Sequence, residues 1–205
     1  MAKKTKDKFK KERKPLIYIV CEGRNKTERT YFNNFQDRNA PFVLHIRDCE
    51  DTDISNMAKR AAKIYVDNDM DVNLGDKVYC MVDLDLEQYK FDKFIKAKAK
   101  YKNIEIIPSN PCFEIWLLYY FTKHPKVLSS SQKVKAELCN YVPGYTESTD
   151  VIKVANLGMN EHVLAINNSE TRNSHYDDEA KAIDRNPYTE VATVVTELIQ
   201  HIQES

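Results

Sequence analysis

The chain has 205 residues, 42% apolar and 30% charged, a composition that fits one globular domain with a sizeable core. Its 31 basic and 31 acidic residues balance, and its apolar runs are far too short to span a membrane. Five widely spaced cysteines with no CxxC pair indicate neither a disulfide frame nor a zinc site.

The charge is unevenly placed. Residues 1–14 carry eight Lys/Arg against Asp7 and Glu12, and a single aromatic, Phe9. Such a tail cannot form a core and is expected to be disordered. It reads either as a solubilising tail or as a basic arm that meets phosphates. It lacks the apolar segment of a secretory signal, so a cytoplasmic location is expected.

An apolar run at residues 16–21 predicts a strand buried on both faces, which stops abruptly at Glu22-Gly23. Thr27 reads as an N-cap, with Glu28 in the first turn and Tyr31, Phe32 and Phe35 on one helix face. A second strand is predicted over 42–46, followed by the acidic loop Asp48 to Asp51 and a helix over 54–66. A third strand over 77–82 runs into Asp83-Leu84-Asp85, with a helix over 91–101 behind it. A fourth strand is expected over 104–107. Asn110-Pro111 then reads as a helix start, Asn capping and Pro pre-set for the first turn. The helix expected over 112–121 is apolar almost all round, with Glu114 its only charge.

Four strands alternating with four helices predict an α/β fold with a mostly parallel four-stranded sheet. The second half is less regular. Helices are expected over 132–141 and within 151–166, a turn at Pro143-Gly144, and a loop over 169–178. Asn186-Pro187 repeats the helix-start signal ahead of an amphipathic helix carrying Val191, Val194, Val195, Leu198, Ile199 and Ile202. The division expected is a tail (1–14), an α/β core (15–125) and a mainly helical extension packed on it (126–205).

In a parallel sheet the C-terminal strand ends share one edge, where α/β folds hold their chemistry. Glu22 ends one strand there; Asp83 and Asp85 end another and, two apart, are expected to point to one side. Oxygen donors without His or Cys suit Mg2+ or Mn2+, which polarises a phosphoryl oxygen and orients a water. Glu22 is then a proton carrier or a further ligand, its pKa raised by burial beside two aspartates. The plainer alternative for each acid is a helix cap or a solvated loop, and Glu87 fits the latter best. No P-loop, GxGxxG or Gly-x-Ser-x-Gly is present, and His45, His124, His162, His175 and His201 have no ligand-like spacing. A topoisomerase-like tyrosine nucleophile would need a further domain to hold DNA. A receiver-like domain would want an aspartate where Glu22 stands.

A hydrophobic strand ending in Glu-Gly and a later one ending in Asp-x-Asp resemble the Toprim domain of topoisomerases, primases and nucleases. Val20-Cys21-Glu22-Gly23, Thr27-Glu28, Tyr31-Phe32, the block 109–118 (SNPCFEIWLL) and the late 186–189 (NPYT) resemble the RloB family more closely. The resemblance implies a Toprim-like (Rossmannoid) core with Glu22 as the Toprim glutamate and Asp83 and Asp85 as the Mg2+ pair. Glu28 and Glu114 fall on family-specific glutamates. It further implies a nuclease of RNA or DNA in a phage-defence or restriction-linked system, often beside an AAA- or ABC-type ATPase. The alternative is a silent effector or nucleic-acid-binding subunit controlled by that ATPase. Arg24-Asn25-Lys26 is longer and more basic than the family pattern. There Glu28 reads equally as a helix cap, and Lys26 or Arg24 as a phosphate contact or an ordinary loop cation. Substrate, trigger, metal count and oligomeric state are not legible.

Overall fold

The computed structural model describes residues 13–23, 26–177, 181 and 184–204, so Arg24 and all of the basic tail before Arg13 lie outside the described residues. Five strands form one sheet: β1 (Leu16–Glu22), β2 (Val43–Cys49), β3 (Lys77–Asp83), β4 (Glu105–Asn110) and β5 (Tyr188–Thr189). Their order is β2-β1-β3-β4-β5. The first four are parallel, and β5 runs antiparallel to β4, with Ser109 opposite Thr189. The sheet thus has one strand more than the four expected. Two residues carry no periodicity that a sequence pattern can register.

The helices are α1 (Thr27–Phe32), α2 (Ile54–Asp67), α3 (Gln88–Lys100), α4 (Glu114–Leu118), α5 (Ser131–Leu138), α6 (Val151–Val154), α7 (Met159–Asn173) and α8 (Val191–Gln203). Strand alternation sorts them into two layers. Tyr18 and Val20 of β1, with Val78, Cys80 and Val82 of β3, pack against α2 and α3. Ile17, Ile19 and Cys21, with Tyr79 and Met81, pack against α1, α4 and α8. The helices of the C-terminal extension join that second core, since Val134, Leu138, Val151 and Ala165 belong to it. It is rich in aromatics. Tyr31 meets Phe32, Phe113 and Trp116 edge-on, with ring centroids 5.0, 5.6 and 6.3 Å apart. Such pairs contribute about 0.5–1.5 kcal/mol each beyond area burial. No helix among the described residues is long and apolar enough to cross a membrane.

Several local expectations are corrected. Thr27 is buried inside α1 and does not cap it; Lys26 holds the N-cap position. Asn110 ends β4 and Asn186 precedes β5, so neither Asn-Pro pair starts a helix. Both of these Asn-Pro peptide bonds are cis. The polar stretch expected as a loop over 169–178 is helical as far as Asn173. There Ser169 and Asn168 are buried, and Asn168 Nδ2 donates to the Tyr119 carbonyl at 2.9 Å. The turn at Pro143-Gly144 is present, with Gly144 at φ 76°.

Candidate active site

The C-terminal edge of the sheet is built by close backbone contacts. Gly23 N–H donates to the Cys49 carbonyl at 2.7 Å. A Cβ at Gly23 would stand 2.9 Å from that oxygen, so glycine is required where β1 closes onto β2. At the end of β3 the chain turns through Asp85 (φ 49°) and Leu86 (φ 62°), two consecutive non-glycine residues in the left-handed region. That conformation costs roughly 1–2 kcal/mol per residue and persists only where the surroundings impose it. Here Asp85 N–H donates to the Pro111 carbonyl at 2.9 Å, and Leu86 N–H to Asn110 Oδ1 at 2.9 Å. Asn110 Nδ2 in turn donates to the Arg185 carbonyl at 2.7 Å. Asn110 therefore ties the acidic turn to the segment before β5, a role that no sequence motif announced.

This turn corrects the expectation that Asp83 and Asp85 share a side. Asp83 is the last residue of β3, whereas Asp85 lies beyond it, where strand alternation no longer applies. Alternation carries Asp83 to the face of Tyr79 and Met81, towards α1 and α4. By the same rule Glu22 falls in line with Tyr18 and Val20, on the face of α2 and α3.

The acids that gather on the α1–α4 face are Glu28 and Glu114, both fully buried, with Asp83 partly accessible at the rim. Burial, then the charges of Glu114 and Glu22, push the Glu28 carboxyl up to about 8. Burial, then Glu28, Glu114, Asp85 and Glu22 in that order, push Asp83 well above the carboxylate range. Glu114 Oε1 accepts from Thr27 Oγ1 and from Tyr145 OH, each at 3.0 Å, and Lys135 Nζ stands 3.8 Å away. Its Oε2, and Oε2 of Glu28, are buried with no hydrogen-bond partner among the described residues. An unpaired buried carboxyl oxygen is costly and takes up a proton or a cation.

The other candidates sit around this cluster. Asp85 is held from both sides, by Lys90 Nζ at 2.5 Å and Ser131 Oγ at 2.7 Å. Glu87 is exposed at the N-cap of α3 without a side-chain capping bond. Lys26 is exposed and lines a cavity of about 450 Å3 with Lys135, Tyr145, Thr146, Glu147 and Ser148. Burial lowers the Lys135 ammonium, but Glu147 at 2.5 Å and Glu114 more than offset it, so its pKa is raised. His162 lies elsewhere, with Nδ1 2.6 Å from Tyr120 OH. In sequence Thr27 reads only as a cap, and Lys90, Ser131, Lys135 and Tyr145 go unread; all but Lys90, which closely follows Asp85 in the chain, meet their carboxylates through the fold.

Among the described residues, no group of three or more His, Cys, Asp or Glu is arranged to hold a metal ion. The donor chemistry nonetheless fits a hard cation: oxygen ligands only, two of them buried and unpartnered. Neither the curated proteins nor the solved structures return a match to this chain. A family model described as RloB-like protein matches residues 17–198. That span runs from β1 into α8 and contains every acid of the cluster, so the chain belongs to the RloB-like family.

Proposed function

We propose that this RloB-like chain is a metal-dependent phosphodiesterase with a Toprim-like core, hydrolysing RNA or DNA in a phage-defence or restriction-linked system. The observation that carries the reading is the pair of unpartnered buried oxygens, Glu28 Oε2 and Glu114 Oε2, beside Asp83 at the carboxyl edge of a parallel sheet. Asp83 and the open oxygens of Glu28 and Glu114, which are not in coordinating positions as they stand, would have to draw together to hold Mg2+ or Mn2+, with Glu22 and Asp85 as outer acids. Bound there, such a cation supplies Lewis-acid polarisation of a phosphoryl oxygen and lowers the pKa of a water. Without a cation Glu28 holds a proton, its pKa near 8, and it would give that proton up as the cation binds. Thr27 and Tyr145 fix the Glu114 carboxylate, and Lys135 and Lys26 present positive charge towards an incoming phosphate. Cleavage of RNA and DNA by purified protein with Mg2+ or Mn2+ tests this. Glu28→Gln and Asp83→Asn are expected to abolish it, and full activity in both would refute the assignment.

One observation favours a second reading, a site held silent until a partner releases it. The Asp85 carboxylate is already occupied by Lys90 and Ser131. An AAA- or ABC-type ATPase is the partner proposed. Activity that appears only when such an ATPase is added, and that Ser131→Ala bypasses, would distinguish this reading from a constitutive enzyme.

A further inference from the structure

Outside the acid cluster the strongest feature is a segregated charge. α2 and α3 pack side by side on one sheet face and together hold eight Lys/Arg against Asp67 and Asp92. Residues 1–14 hold eight against two. By subtraction from 31 and 31, the rest of the chain holds 15 basic residues against 27 acidic ones. The α2–α3 layer is thus a basic face on an otherwise acidic body.

Within it, Tyr89, Lys93, Lys96 and Lys100 recur at helical spacing and form one stripe along α3. Tyr89 is 56% exposed and sits at the first turn, beside the acidic turn that ends β3; Lys93 Nζ lies 5.3 Å over one face of its ring. Lys93 is paired with Asp53 at 2.5 Å, but Lys96 and Lys100 are exposed and make no ion pair among the described residues. Lys59 and Arg60 of α2 are likewise exposed and unpaired among them.

We infer that the α3 stripe is the track for a single strand of nucleic acid entering the site. This rests on the nuclease reading above. Eleven residues of helix span about 16 Å, roughly five nucleotide rises of 3.4 Å. Lys96 and Lys100 meet successive phosphates, and Tyr89 offers the open face of its ring to a base next to the acids. Aromatic stacking and cationic tracking together are how single strands are held without sequence preference. The acid cluster on the α1–α4 face would repel the same strand, and the stripe on the α2–α3 face brings its Tyr89 end to the turn that carries Asp85.

The test is fluorescence anisotropy of the full chain with a labelled 20-nucleotide single strand, in EDTA, over a salt series. Lys96→Ala/Lys100→Ala is expected to lessen the log–log salt slope by about 1.4, two phosphates at ~0.7 each. Tyr89→Ala is expected to weaken binding about tenfold, within the range of one lost stack, with its slope unchanged. Lys123→Ala/Lys153→Ala, exposed lysines on other elements, are expected to change neither. An unchanged slope in the first variant overturns the placement. So does an equal loss in the control pair, or tighter binding of a duplex of the same length. Because no metal is present and no cleavage is read, failure here is separable from failure of the nuclease reading. If Lys96→Ala/Lys100→Ala cleaves normally and binds normally, only the track is lost.

Discussion

Two buried acids at opposite ends of the sheet are handled in opposite ways. Asp76, just before β3, is buried and fully answered: Arg13 grips both its oxygens, and the N–H groups of Leu16 and Asp71 donate to it at 2.8 Å each. Burial works to raise its pKa, but the Arg13 guanidinium and those two N–H groups prevail and hold it near 2. Glu28, at the other end, is as deeply buried, yet one of its oxygens has no partner among the described residues and its pKa rises to about 8. The first arrangement stabilises the fold. The second costs stability, and the free energy is recovered only when something positive arrives.

The contrast can be broken in four ways, taken from the largest effect down. Glu28→Gln and Asp83→Asn should each lower the rate of phosphodiester cleavage by about 10^3-fold, the scale of a lost acid–base or electrostatic group. Initial-rate assays with Mn2+ check this, and the same variants should fold normally. Asp76→Ala should do the reverse: cleavage per folded molecule unchanged, but stability lower by about 3 kcal/mol as buried N–H groups lose their acceptor. Urea denaturation reads that loss. Arg13 is about 39% exposed on its side chain, so Arg13→Ala should cost much less, solvent screening its charge.

The third prediction concerns pH. Glu28 has a folded pKa raised above its ordinary 4.5, so the folded state holds the extra proton. Its contribution is full below about pH 4.5 and is lost as pH climbs through about 8, and Asp83 acts in the same direction. The melting temperature should therefore fall by several degrees over that window, and Glu28→Gln should flatten the fall. Asp76 has the opposite sign. Its stabilisation is present above its ordinary 3.8 and is lost as pH drops through about 2. The smallest effect is Leu86→Gly. Relief of the left-handed backbone is largely offset by the freedom glycine gains in the unfolded chain, leaving a gain of about 0.5 kcal/mol in unfolding free energy, read as a small rise in urea midpoint.

Much of this fold was legible because β1 to β4 are continuous apolar runs and α2, α3 and α8 carry regular apolar stripes. What misled was polar chemistry in tertiary use. Thr27 reads as a cap by local preference, yet its hydroxyl serves Glu114, 87 residues away in sequence. Asn110 and Asn186 read as helix starts, yet their amides brace loops, Asn186 Nδ2 reaching the Leu128 carbonyl at 2.8 Å. The acid site was legible in part. Its edge and Asp83 followed from the strand ends, Glu114 stood out as the only charge in an apolar helix, and Glu28 read equally as a first-turn acid and as part of the family pattern. That Asp83 and Glu22 fall on opposite faces depends on the register of β1 and β3, which no sequence pattern gives.

The central claim is that the unanswered acids await a cation. Calorimetric titration of the purified chain with Mn2+ at pH 7, in two buffers of different ionisation heat, tests it most directly. Burial and neighbouring acids hold both Glu28 and Asp83 towards their protonated forms, so binding should release protons, and Glu28→Gln should lessen the release. Binding with no proton release, or no binding at all to the wild-type chain, would contradict the account.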